Sequence, residues 1–497
     1  MSAPRSPATL TAVYDPRVRR RLDLTWLLAL ALALLAAVGY AAASIERHDR
    51  FGSNAFDLGI YDQTIWGYSR FDLLADNTVL QTPNLLGNHF QPILIALAPL
   101  YWVWEDVRML LVAQAVLLAA ASLPLVYWAR RELGSPAALA FQSAYLVFWA
   151  VLAGALYDFH ETAIAAPAIA VALLGLVTRR YGLVLTGSAV ALLTKEDLAL
   201  TVASIAIYAA VVGLRRRESL VLAAASVSWL VVAVKAVIPW FSGASYVHWF
   251  YPALGSGPGS ALVHVFAHPI DTVRLFFSPH AKRIALGNLL APWLLLPLLS
   301  PLALIALPNL AARFLSDKPS YWSQGFHYSL MIAPVLAFAA VDATRRLAPH
   351  VPWRLFPLGV GCAALVVGAY FNFGRLRPLA ELDRLPSDAV AAQMQRCLDT
   401  IPPDASVAAT SALVPHLTHR RHIELLDGTR PRGTDVIAVD AYTWIFPLSQ
   451  RDVATIIRRA RGSGYGVACS AVGTAVLSRK ATDGALSPEL QRLLRAG

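Results

Sequence analysis

The chain has 497 residues, 57% hydrophobic and only 15% charged, with 42 basic and 31 acidic side chains giving a net charge of +11. A soluble domain carries about 25% charged residues, so a single soluble globule of this size is excluded, and so is disorder. Three cysteines exclude a disulfide-stapled scaffold, and no Cys/His spacing reads as a zinc site. In so apolar a chain the positive balance fits cationic loops at a membrane surface better than nucleic acid.

A membrane-crossing helix needs about 20 predominantly apolar residues. The first such stretch is 24–44, preceded by Arg17, Arg19, Arg20 and Arg21. It is too long and too late for a cleaved signal peptide, and reads as a retained anchor with residues 1–23 in the cytoplasm. Further apolar stretches follow at 108–129, 137–156, 161–178, 182–196, 198–214 and 219–240. A hairpin at 284–299 and 301–313 comes next, then 327–343 and 353–373. The sum is about eleven spans by the 20-residue criterion.

The positive-inside rule tests this layout independently. With the N-terminus inside, Arg130-Arg131, Arg179-Arg180, Arg215-Arg216-Arg217 and Arg345-Arg346 all fall in cytoplasmic turns. The outer face then receives the long first loop 46–107, the turns near 157–161 and 195–197, the segments 241–283 and 314–328, and the tail 374–497. The tail carries 16 basic and 12 acidic residues in 124, a soluble composition. Its β-like runs at 406–409, 422–426, 435–440, 465–470 and 475–478 alternate with helical stretches such as 450–461, which predicts a small α/β domain. Cys397 and Cys469 both lie there, and either pair or stay two buried thiols.

Acidic side chains near membrane depth are costly, and are functional candidates for that reason. The first outer loop reads Phe56-Asp57-Leu58-Gly59-Ile60-Tyr61-Asp62-Gln63, and later Gly87-Asn88-His89-Phe90-Gln91-Pro92. The second outer turn reads Tyr157-Asp158-Phe159-His160-Glu161, and the third Thr194-Lys195-Glu196-Asp197. Each run alone could be a solvated turn or a local ion pair. Together they suit a general base beside a phosphate pocket, or a magnesium or manganese site drawn from Asp57, Asp158, His160 and Glu161. Arg313, Lys318, His327 and Tyr328 add a cationic set on the same face, and with His89 and Lys195 could hold a phosphate. Arg375 and Arg377, just past the last span, fit snorkelling to headgroups better. His416, His419 and His422 in the tail are a weak metal signal, because the intervening residues do not place them on one helical face.

The phrases FDLGIYDQ, GNHFQP, YDFHE, TKED, HY and, in the tail, DASV and LVPHLTHR resemble a prokaryotic membrane family, domain of unknown function 2079. More loosely, an anchor span, a long outer loop with an early aspartate, an acidic second outer loop and an outer C-terminal domain resemble the GT-C superfamily of integral-membrane glycosyltransferases. The resemblance implies a mainly α, GT-C-like transmembrane module over 24–373, with the α/β domain 374–497 on the outer face of the plasma (inner) membrane. It implies transfer of a sugar from a polyprenyl-phosphate donor to a cell-envelope acceptor hydroxyl. Asp57 would be the base or metal ligand, with Asp158 and Glu161 completing its site and no nucleotide or organic cofactor. The chain lacks the Asp-x-Asp and Trp-Trp-Asp motifs of the oligosaccharyltransferases. The rival readings are a transporter or lipid flippase, which would place charges such as Lys235 at mid-membrane and show inverted repeats, and a non-catalytic assembly partner.

Overall fold

The structure is a computed structural model and describes residues 23–376, 378–428 and 433–496. Arg17, Arg19, Arg20, Arg21 and Arg377 lie outside the described residues. The first helix, Leu24–Asp49, starts where Asp23 accepts the Thr25 N–H at 3.1 Å. At about 1.5 Å per residue its 26 residues extend about 39 Å, more than a bilayer's apolar core. Ala29, Ala33, Ala37, Tyr40 and Ser44 form its buried stripe, while Leu27, Leu30, Leu34 and Leu35 face outward. Small residues at four-residue spacing let a neighbouring helix approach closely.

Among the described residues four helices are long and apolar enough to cross a membrane: Leu24–Asp49, Arg108–Leu133, Arg216–Ser242 and the helix Phe356–Tyr370 with its continuation. The pair Ser135–Leu146 and Trp149–Leu156, bent by 45°, makes a fifth if taken as one broken span. The expectation of about eleven spans is therefore corrected: by length and apolar content only four or five are clear among the described residues. Hydropathy counts apolar residues without measuring helix length. Thr162–Val177 has 16 residues, and Tyr181–Thr194 and Leu198–Val211 have 14 each, or about 24 and 21 Å. Thr162–Val177 is buried on nearly every side, as the helix at the centre of a core would be. The 284–313 hairpin is not two spans either. Pro292, Pro297, Pro301 and Pro308 fall in it, and it breaks into 3-10 turns after His280–Leu290 before the short helix Leu307–Phe314.

The tail forms a five-stranded sheet of order β2-β1-β3-β5-β4, with β1 Val407–Ala409, β2 Ile423–Leu425, β3 Val436–Asp440, β4 Gly466–Ala471 and β5 Thr474–Ser478. Strand β1 runs parallel to β2 and β3, while β5 is antiparallel to β3 and β4. Helices Gln450–Gly462 and Pro488–Ala496 cover one face. The helix Asp388–Leu398 covers the other, and a Cys397–Cys469 disulfide fastens it to β4. That second face shares a hydrophobic core with the first loop, since Ala55, Leu58, Ile60, Ile65 and Tyr101 pack with Val407, Leu413, Val414 and Ile423. The sheet and the first loop are one packed body.

Candidate functional site

The acidic runs predicted from the sequence meet in one place. Asp57 lies on the π turn Ala55–Gly59, capped by the Asn54 side chain. Asp158, His160 and Glu161 occupy the link between the helices Trp149–Leu156 and Thr162–Val177. Lys195, Glu196 and Asp197 join Tyr181–Thr194 to Leu198–Val211. Three short links between helices thus bring their ionisable residues together at one end of the bundle.

These acids differ in what they meet. Asp158 is fully buried; its carboxylate accepts from Arg47 Nη1 at 2.5 Å and from the Asn54 N–H at 2.9 Å. It clamps the end of the first helix to the segment that carries Asp57. Glu161 is also fully buried, with Lys195 Nζ at 3.1 Å from one oxygen and His160 Nδ1 at 2.7 Å from the other, which the Tyr61 hydroxyl also donates to. Gln91 Nε2 in turn donates to the Tyr61 oxygen at 3.1 Å. Burial alone would raise the Glu161 carboxyl, but His160 and Lys195 hold it well below the usual carboxylate range. Glu196 takes His89 Nδ1 at 2.6 Å and the Phe90 N–H at 3.0 Å, and against the upward push of burial His89 and Lys195 hold it at about 2.

Asp57 stands apart. His160 Nε2 lies 3.6 Å from its carboxylate, and its side chain remains 17% exposed. Burial pushes its carboxyl above the ordinary value, His160 opposes this, and Asp158 adds to it. The His160 ring stacks on His327 with centroids 3.3 Å apart, and both His327 ring nitrogens are buried without partners. His327 adjoins Tyr328 at 4.3 Å, and Tyr328 adjoins Tyr321 at 4.9 Å.

Two further cations complete the cluster. Arg313 is buried, donating from Nε to the Tyr321 carbonyl at 2.7 Å and from Nη2 to Ser329 Oγ at 3.0 Å, with Nη1 unpartnered. Lys318 Nζ lies over the Phe250 and Tyr321 rings, at 4.5 and 5.0 Å from their centroids. Among the described residues neither forms an ion pair with a carboxylate. Lys195 and His89, expected at a phosphate, are instead committed to Glu161 and Glu196.

The expected metal set is not assembled as a coordination sphere. Among the described residues no three His, Cys, Asp or Glu side chains are grouped to hold a metal ion. The physical reason is that Arg47 occupies Asp158, and Lys195, His160 and Tyr61 occupy Glu161. In the tail His416 stacks on His48 and Phe51, while His419 meets Asp62 at 3.1 Å; the two serve packing and an ion pair. Asp62 also accepts from Tyr101 and Thr418, fastening the first loop to the tail.

Tyr61 and Gln91 stand inside the sequence phrases that carry the resemblance, yet only the fold shows them converging on Glu161. Arg47, Tyr246 and His248 had no sequence signal. The Tyr246 hydroxyl reaches Glu196 at 3.3 Å, and His248 stacks on His89 at 4.1 Å.

Over residues 47–474 the chain matches the family described as predicted membrane protein, domain of unknown function 2079. No curated protein matches it in sequence. The crystal structure of ArnT from Cupriavidus metallidurans bound to undecaprenyl phosphate superposes with a TM-score of 0.54 at 14% identity, covering 92% of this chain and 99% of that one. The apo structure of the same ArnT gives 0.55 at 14% identity, covering 91% and 97%. At this identity the likeness shows a shared fold, mainly helical with a small C-terminal sheet.

Proposed function

The chain belongs to this family of membrane proteins, and we propose that it is an integral-membrane glycosyltransferase. It moves a sugar from a polyprenyl-phosphate donor to an acceptor hydroxyl on the outer face of the plasma membrane, with the N-terminus cytoplasmic and the tail extracytoplasmic. Two things support the lipid-linked donor: the fold shared with ArnT, which has been seen bound to undecaprenyl phosphate, and the two cations beside Tyr321, Arg313 and Lys318, that lack a carboxylate partner among the described residues.

The observation that carries the reading is the contrast among the acids. Glu161 and Glu196 are held below the usual carboxylate range by close partners, and Asp158, though burial raises it too, has its oxygens taken by Arg47 and the Asn54 N–H, whereas Asp57 alone of the four joins a raised affinity for a proton to an exposed edge. A base for a hydroxyl needs that combination of access and proton affinity. In the proposed step Asp57 takes the acceptor's hydroxyl proton as the acceptor oxygen bonds to the anomeric carbon. The bond from that carbon to the phosphate oxygen breaks, and the electron pair leaves with the polyprenyl phosphate. Lys318 and the free Nη1 of Arg313 neutralise that charge, and a His327 nitrogen can donate a further hydrogen bond. Asp158 and Glu161 act as positioning residues, because neither carboxylate is free to touch substrate. With its acids so engaged, the site does not fit a divalent cation, and no step is routed through one.

Asp57→Asn tests the assignment. General-base removal should slow transfer by about 10²–10⁴-fold with the donor still bound; transfer at the wild-type rate would overturn it.

A further inference from the structure

A cluster of exposed aromatic rings borders the Asp57 segment and has no part in the chemistry above. It lies on the loop after β3, where Tyr442, Trp444 and Phe446 are 53%, 52% and 59% exposed. Phe56, the residue before Asp57, meets Phe446 with ring centroids 5.6 Å apart.

The loop that presents these rings is built firmly. Buried Asp440 accepts from the Tyr442 N–H at 2.9 Å, from the Thr443 N–H and hydroxyl at 2.7 Å each, and from the Thr474 hydroxyl at 2.9 Å. The Tyr442 ring sits against Gly473, where a Cβ would come within 2.2 Å of it, so only glycine leaves room. One short segment also ties this loop to the catalytic one. Ser411 Oγ accepts the Ala55 N–H at 3.2 Å, and the next residue, Ala412, donates its N–H to the Trp444 carbonyl at 3.2 Å. The rings and Asp57 are therefore held in fixed relation by the same two residues.

Large apolar groups left in water at fixed positions mark a binding surface. We infer that Phe56, Trp444 and Phe446 form a stacking platform for the saccharide portion of the acceptor. The apolar C–H face of a pyranose lies flat on an aromatic ring, while its hydroxyls stay free for water or for Asp57. The direction of approach favours acceptor over donor. From Asp57 the cations suited to a phosphate are reached through His160, His327 and Tyr328, whereas the platform is reached through Phe56. The inference rests on the proposed transferase reading and adds that the acceptor is itself a glycan or glycolipid.

The test uses the full-length protein in nanodiscs and a panel of soluble probes: maltohexaose, chitohexaose, mannohexaose and arabinohexaose. Saturation-transfer NMR and calorimetry follow binding in the wild type, in Trp444→Ala/Phe446→Ala and in Asp57→Asn. We expect at least one hexasaccharide to bind, its dissociation constant to rise at least 10-fold in the double variant, and Asp57→Asn to bind as the wild type does. Circular dichroism melting of the double variant should match the wild type, since both rings are exposed. Absence of binding across the panel, or equal binding by the double variant, overturns the inference. So does a double variant that loses only its affinity for phosphatidylglycerol vesicles, since the rings would then be a membrane anchor. Donor turnover measured in parallel separates the two ideas: saccharide binding with no turnover fails the transferase reading, and turnover without saccharide binding fails the platform.

Discussion

Replacing Lys195 with methionine keeps most of the side-chain volume and removes one charge from a buried pair. Glu161 would be left fully buried with His160 and Tyr61 but without its ammonium partner at 3.1 Å. Breaking a buried pair from one side costs about 3–5 kcal/mol if the remaining charge persists. The carboxyl has an escape, because it can take up a proton. At pH 7, protonating a carboxyl whose unfolded pKa is about 4.3 costs 2.7 units at 1.36 kcal/mol each, about 3.7 kcal/mol. That figure is the ceiling, and at pH 5 the same arithmetic leaves about 1 kcal/mol. The sign follows from linkage. In the wild type Glu161 is depressed, so its pairing stabilises the fold above the unfolded pKa and is lost as pH falls through the folded value. In the variant Glu161 is protonated when folded, so the deficit grows as pH rises. Denaturant unfolding in micelles should therefore show a loss of about 3–4 kcal/mol at pH 7, shrinking to about 1 at pH 5. Adding Glu161→Gln should restore most of the pH 7 loss. A loss below about 1 kcal/mol at pH 7, or the same loss at both pH values, would refute the pairing argument.

Three other outcomes are expected. Reducing the Cys397–Cys469 bridge, or replacing both with serine, opens a loop with a sequence separation of 72; the chain-entropy relation puts the cost at about 4 kcal/mol, readable as faster proteolysis of the tail. His419 is held protonated above its usual range, burial being outweighed by Asp62. Its pairing therefore stabilises the contact of loop and tail at low pH and is lost as pH rises through the folded value, so hydrogen-exchange protection in Ile60–Ser69, taken relative to the intrinsic base-catalysed rate, should fall above neutral pH and lose that dependence in His419→Gln. Donor turnover should withstand EDTA, because Arg47, Lys195 and His160 already occupy the carboxylates a cation would need; loss of turnover restored by magnesium or manganese would show otherwise.

The clustering of Asp57, Asp158, Glu161 and Glu196 was legible because the apolar helical stretches flanking their three short segments carry almost no charge, so any acid between helices stands out. Their division of labour was not. Asp158 and Glu161 are three residues apart in one turn, yet Asp158 meets Arg47, 111 residues away in sequence, and Glu161 meets Lys195. Such pairings depend on how helices stack, which one sequence does not carry. The five strands fell within a residue or two of the β-like runs, since short apolar, β-branched runs between polar stretches are a local signal. The spans were overcounted because apolar content says nothing of where prolines break a helix, as at Pro292 to Pro308. The Cys397–Cys469 pairing stayed open because spacing alone does not bring a helix against a strand.

Release of free polyprenyl phosphate from a polyprenyl-phosphate sugar, followed by mass spectrometry with purified protein in nanodiscs and a cell-envelope extract as acceptor source, tests the central claim most directly. The account predicts release with the wild type and at least a 100-fold slower rate with Asp57→Asn at unchanged melting temperature. Equal rates for the two proteins, or none with the wild type across a panel of donor sugars, would contradict it.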